Sequence, residues 1–312
     1  MISQSQKIDY VAFNIMLDDL VFSDGQTQMG VLGGGGPQTA FGMRLWSRSV
    51  GLSSCVGPDF PATADDWLRQ CGIDERGVRR TALPTARAWQ VVEANGLRTQ
   101  VWRVDEDVRR RQLGRSVEKM PRAYLGAKGY HFGVHPLYPD YKFIDELNKQ
   151  EAVISIESFC PAAHQPQQAA LSRLLGSADI FSLNEHEAIT LVGSGKPHEL
   201  AERLMDAGAK VLTLRLGANG SLVVNAETQK AFHIPAIAVP VVDAVGAGNA
   251  YCGGFLVGFC ETRDLKIAGV YGAVASSFML EQIGSPVIGP GTLKKVEERV
   301  EMLQSQVRAV TI

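Results

Sequence analysis

Short β-branched and apolar runs alternate along the chain with longer stretches whose apolar positions recur at helical spacing. The runs predict strands over residues 10–17, 50–56, 129–134, 153–156, 180–182, 211–215 and 221–224. The stretches predict helices over residues 37–47, 64–71, 141–149, 166–175, 185–191, 199–207, 250–259 and 265–281. Such alternation is the signature of repeated βα units. The expected fold is therefore α/β, three layers in the order α/β/α with a doubly wound, mostly parallel sheet, as a single domain over residues 1–312. Two extended pieces, residues 19–32 and 86–104, have no helix of their own. They are expected to form a small β-lid over the strand ends, where open α/β sheets bind ligands.

Composition narrows the function classes. Hydrophobic residues make up 45% of the chain, charged residues 21%, and the formal net charge is −2. That balance gives no electrostatic footprint for nucleic acid or an acidic membrane. No apolar run reaches the ~18 residues of a membrane span, so no membrane partner is expected. Cys55, Cys71, Cys160, Cys252 and Cys260 are scattered without a CxxC pair, which points away from a disulfide framework and toward a reducing, cytoplasmic setting.

Chemistry concentrates in residues 243–255, DAVGAGNAYCGGF. Gly246, Ala247 and Gly248 turn the backbone tightly at the start of an apolar helix, whose first N–H groups have no intrahelical partner and face an anion. A second glycine run, Gly33, Gly34, Gly35 and Gly36, precedes Pro37 at a helix start, so a polyol can lie against bare backbone there. Asp18 follows the first strand and can accept two hydroxyl hydrogen bonds, although adjacent Asp19 competes for the inward position. Glu157 ends the strand VISIE facing the same cleft. Asn184 and Glu187 have the spacing of a helix capping box. Arg215 precedes GANG, with Gly217 and Gly220, and can clamp phosphate oxygens. His131 and His135 share a strand face without a zinc-spaced partner, and the basic run through Arg115 reads as a solvated face.

Four segments resemble the ribokinase or phosphofructokinase B (PfkB) sugar kinases: VLGGGGPQTAFGMRL, DIFSLNEHEAITLVG, LTLRLGANGSLVV and DAVGAGNAYCGGF. The resemblance implies a ribokinase-like fold and ATP-dependent phosphorylation of a hydroxyl on a sugar, nucleoside or related small polyol. It assigns Gly246, Ala247, Gly248 and position 249 to catalysis, and Asp18 and Gly33–Gly36, with Glu157 beside them, to the acceptor. It places Asn184, Glu187, Arg215, Gly217, Gly220 and Asp243 at the nucleotide, with Asn184 and Glu187 holding Mg²⁺ through water. It also allows for a monovalent cation and for a homodimer through the lid. The family's catalytic aspartate is Asn249 here, a divergence similar to that of fungal PfkB-like proteins. Replacing the base with an amide leaves two expectations open, a slow kinase or a non-catalytic nucleotide- or polyol-binding protein acting as sensor or scaffold.

Overall fold

The computed structural model describes residues 7–94 and 98–312. Residues 95–97 of the expected lid and residues 1–6 of the expected domain lie outside them. In chain order the elements are β1 (Tyr10–Phe13), β2 (Met16–Val21), β3 (Thr27–Gly33), α1 (Gly36–Arg44), β4 (Val50–Val56), α2 (Ala62–Gln70), β5 (Asp74–Arg80), β6 (Arg87–Val92), β7 (Arg98–Trp102) and α3 (Glu106–Leu113). They continue as β8 (Gly129–Val134), α4 (Tyr141–Leu147), β9 (Val153–Ser158), α5 (Gln168–Gly176), β10 (Ile180–Asn184), α6 (Glu185–Val192), α7 (Pro197–Asp206), β11 (Val211–Arg215), β12 (Ser221–Asn225), β13 (Lys230–Ile234), α8 (Ala247–Thr262), α9 (Leu265–Leu280), α10 (Pro290–Gln304) and β14 (Arg308–Val310).

Ten strands form the central sheet in the order β14-β13-β12-β11-β10-β9-β8-β1-β4-β5. The seven from β11 to β5 pair in parallel, and β12–β14 extend one edge antiparallel. After β1 the chain winds outward through β4 and β5, then returns to place β8 on the other side of β1. That reversal opens a crevice at the carboxyl ends of β1 and β8, the place where such sheets take ligands.

The strand pleat sorts the core. Tyr130 and Phe132 on β8, Ile154 and Ile156 on β9, Phe181 and Leu183 on β10, and Leu212 and Leu214 on β11 pack one face against α4–α7. Intervening residues turn to the other face, covered by α1, α8 and α9. A methyl group at Gly253 would sit 2.1 Å from the Thr39 carbonyl oxygen, so α1 and α8 approach as closely as backbones allow. That contact brings the glycine run before α1 to the start of α8.

The first expected strand, residues 10–17, is two strands. Asn14 has φ 73° between them, and the chain leaves the central sheet for the lid. The lid is a four-stranded sheet in the order β3-β2-β6-β7, so it begins at Met16 rather than residue 19. Strand β5, helix α3 and the elements after α9 were not legible as periodic runs; β5, DERGVRR, is a polar edge strand with few buried positions. All five cysteines are free. Among the described residues, no helix is long and apolar enough to cross a membrane.

Candidate active site

The polar residues of the α8-facing side form a stripe across four strands. His131, Ser155 and Glu157, Ser182, and Thr213 and Arg215 are brought side by side by the parallel register, with Ser182 opposite both Glu157 and Thr213. His131 Nδ1 is 2.9 Å from Ser155 Oγ, Thr213 donates to Ser182 at 2.6 Å, and the Cys252 thiol of α8 lies 3.2 Å from Ser182 Oγ. Each strand alternates apolar and polar, as in VISIES and VLTLR. That signal was present in the sequence, but linking the strands required their register.

Glu157 is the hub. Its Oε1 accepts from Asn249 Nδ2 and lies 3.5 Å from His131 Nε2, while Oε2 lies 3.3 Å from Arg215 Nη1 and 3.6 Å from Cys252 Sγ. Burial would raise this carboxyl, but the His131 ring, the Arg215 charge and the Asn249 amide together hold it down to about 2. Burial works against the Arg215 charge, yet nearby Cys252, Glu157 and Glu187 push its pKa above the usual value. His131, Glu157 and Cys252 have ligand atoms within 4.8 Å of one another, partners that sequence spacing did not reveal. They do not form a cation cage: the guanidinium already faces the same carboxylate, and burial pushes the Cys252 thiol up, keeping it protonated.

The start of α8 has the geometry expected of an anion cradle. Gly246 caps the helix at φ 82°, a conformation that favours glycine, and no side chain caps the N-terminus. Asp243 Oδ1 accepts from the Val245 N–H at 2.9 Å and braces the turn. A methyl at Gly248 would lie 2.0 Å from Arg215 Nη1, so the guanidinium rests on this glycine. The Nε of Arg215 is buried without a hydrogen-bond partner, as is Oε1 of Gln38, whose Cγ lies 2.4 Å from where a Gly246 Cβ would be. A helix N-terminus and a guanidinium with an orphaned Nε–H suit the phosphates of a nucleotide, whereas the Gln38 carbonyl oxygen, an acceptor, calls for a donor. Gln38 was missed because a glutamine in the first turn of a helix carries no motif.

Asn184 and Glu187 make both halves of the capping box, at 2.8 and 2.7 Å. Glu187 Oε2 is also 3.6 Å from Arg215 Nη2. The motif thus braces the guanidinium as well as capping α6. Asn184 is exposed at the strand end, where a hydrated cation has access to it. Gly217 and Gly220 shape the β11–β12 hairpin beyond Arg215, with φ 57° and 82°.

On the lid, Asp18 and Asp19 turn to opposite faces. Asp19 is buried on the far face of the lid, where it accepts from Arg87, Arg103 and the Gly30 N–H. Burial would raise its carboxyl, but those bonds hold it down to about 2. Asp18 faces the glycine run: a Cβ on Gly33 would lie 1.8 Å from its Oδ2, and Gln90 Nε2 donates to Oδ1 at 2.7 Å. Gly34 and Gly35 adopt φ 94° and 84°, and a Cβ on Gly35 would lie 3.0 Å from Asn249 Nδ2. The structure therefore joins Asp18, the glycine run, Asn249, Glu157, Arg215 and Glu187 in one chain of contacts. Arg115 does not lie on a solvated face. It turns inward, donating to the Gly133 carbonyl at 2.7 Å and to Asn14 Oδ1 at 3.3 Å, and burial pushes it down to about 10.

A family profile described as "pfkB family carbohydrate kinase" matches residues 18–287. Over 256 residues, 81% of this chain and 88% of the relative, the sequence is 25% identical to the cytidine kinase of Thermococcus kodakarensis. The fold superposes with a TM-score of 0.73 on aminoimidazole riboside kinase from Salmonella enterica, complexed with aminoimidazole riboside and an ATP analog, covering 92% of this chain and 99% of that one at 18% identity. With fructokinase from Vibrio cholerae in its fructose, ADP and calcium ion bound form, the TM-score is 0.74, covering 94% and 99% at 18% identity. At such identities the superpositions establish the ribokinase-like fold.

Proposed function

The chain belongs to the pfkB family of carbohydrate kinases, and from that premise we propose that it phosphorylates a hydroxyl of a sugar or nucleoside with ATP, in the cleft between the α8 N-terminus and the lid. The observation that carries this reading is the approach of Gly35 to Asn249, which sets the acceptor loop against the first turn of the anion cradle. ATP would supply the phosphoryl group, and Mg²⁺ would offset phosphate charge.

The backbone N–H groups of Gly248 and Asn249, with the Arg215 guanidinium, bind and orient phosphate oxygens. Glu187 and Asn184 hold the hydrated cation side. Asp18 accepts hydrogen bonds from acceptor hydroxyls, and Gly33–Gly36 let the acceptor approach the backbone. Phosphoryl transfer depends chiefly on such positioning and charge stabilisation. The Asn249 amide takes no proton, so the reaction lacks a general base worth ~10²- to 10⁴-fold. In a loose transition state the hydroxyl proton leaves late, to solvent water, as the bond to the ADP leaving group breaks, and a slow reaction persists.

The engagement of the Asn249 amide by Glu157 supports a second reading, a binding protein that holds nucleotide or polyol without turnover. Calorimetric titration with ATP and ADP in millimolar Mg²⁺ tests the nucleotide site that the kinase reading requires. Binding in wild type and its loss in folded Gly248→Val are expected; no heat with either nucleotide would overturn the kinase reading and leave only a polyol-binding protein.

A further inference from the structure

Three rings stand at the carboxyl ends of β8 and β9 and are unused by the assignments above. Phe159 is 53% and Tyr138 77% exposed, and the His135 ring lies 5.0 Å from Tyr138 and 6.0 Å from Phe159. Exposed aromatic rings grouped in this way carry an unpaid hydration cost. Their position is fixed by Gly133, where a Cβ would meet Phe159 Cβ and Cδ1 at 3.3 Å and Glu157 Cγ at 3.7 Å. Phe159 therefore covers the strand face that carries Glu157, and Glu157 bonds Asn249. The aromatic group continues the floor of the cleft outward from the reacting position.

The lid presents polar acceptors. Gln90 is 2% exposed and bonds Asp18 through Nε2, while its Oε1 is buried without a partner. An orphaned buried carbonyl is costly and calls for a donor such as a ligand hydroxyl. A ligand matching both features carries hydroxyls at one end and a flat π face at the other. Free sugars have no such face. Burial pushes His135 below its usual value, so its ring is neutral at pH 7 and adds no charge to the platform.

We infer that the acceptor is a nucleoside, its ribose hydroxyls toward Asp18 and Gln90 and its heteroaromatic ring stacked on Phe159 beside His135 and Tyr138. The inference deepens the kinase reading and rests on it for turnover, but nucleoside binding stands apart from turnover. Base–aromatic stacking is lost on truncation to alanine at a cost of about tenfold or more in affinity.

The test measures kcat/KM for cytidine, uridine, adenosine and inosine against ribose and fructose, with calorimetric binding of the same compounds, in wild type, Phe159→Ala and Phe159→Tyr. The expected result is preference for nucleosides by about 100-fold, and a rise in nucleoside KM of about tenfold in Phe159→Ala that exceeds any fall in kcat. Phe159→Tyr, which keeps the ring, restores the KM. Phosphorylation of sugars with no nucleoside binding, or equal nucleoside affinity in all three proteins, overturns the inference and leaves the kinase reading in place. Nucleoside binding weakened in Phe159→Ala with no transfer to any acceptor supports the platform and sinks the kinase reading instead.

Discussion

Asn249, at the first turn of α8, donates its side-chain amide to the buried carboxylate of Glu157 on β9. The pair suits an amide at this position: a carboxylate there would face Glu157 at hydrogen-bond range. Asn249→Asp restores a base in composition alone. In the structure it makes a like-charge pair in which one member's pKa is raised. Asn249→Asp alone is expected to lose about 1–3 kcal/mol of stability and to stay within about tenfold of wild-type turnover. Adding Glu157→Gln supplies an amide to the new carboxylate and is expected to raise turnover by about tenfold or more. A double-mutant cycle in urea stability and kcat reads the coupling; additive effects would show that the two side chains act separately.

Glu157 also sets an acid limit on stability. Its carboxyl is held at about 2 in the fold, below its ordinary value of 4.5. A folded value below the unfolded one adds stability that is fully present above pH ~4.5 and is lost as pH falls toward ~2. Between pH 6 and pH 3, the urea midpoint of wild type is expected to fall more steeply than that of Glu157→Gln. Parallel slopes would contradict the assignment.

Arg215 serves both partners of this site. Truncation to Met leaves Glu157 buried without its cation, and breaking such a pair costs about 3–5 kcal/mol. It also removes the guanidinium resting on Gly248. Thermal unfolding should therefore show a large loss of stability, and nucleotide binding measured below the new melting point should weaken at least tenfold. A variant that binds ATP with unchanged affinity would show that the cradle does not use the guanidinium.

The two adjacent aspartates should separate in kinetics. Asp18→Ala is expected to lower kcat/KM for the acceptor at least tenfold while calorimetric nucleotide affinity stays within twofold, because its carboxylate lies against Gly33. Asp19→Ala leaves Arg87 and Arg103 without their shared carboxylate. It should act on lid stability, raising acceptor KM and exposing the β2 and β6 amides to hydrogen exchange. The reverse pattern would exchange their roles.

Much of the fold was legible because strands such as VISIES and VLTLR carry both signals at once, an apolar face for the core and a position in a βα repeat. The glycine runs were legible as tight turns before helices, because Gly34, Gly35 and Gly246 take positive φ values that favour glycine. The break at Asn14 was not, because a single polar residue in an apolar run does not mark where the backbone passes from one sheet to the other. Nor could the sequence show that His131, Glu157, Cys252 and Asn249 meet, since they come from β8, β9 and α8 and only the parallel register aligns them. Arg115 looked solvated beside Arg109, Arg110 and Arg111, but those pair with Glu106 and Asp107 while Arg115 points into the sheet at the carboxyl ends of β1 and β8.

The most direct measurement of the central claim is ³¹P NMR of purified protein incubated with ATP, Mg²⁺ and pooled sugars and nucleosides, with Gly248→Val as the matched control. The account predicts a new phosphate monoester appearing one for one with ADP, formed slowly by wild type and not by the control. Nucleotide binding with no ester from any acceptor, or equal ester formation by Gly248→Val, would contradict it.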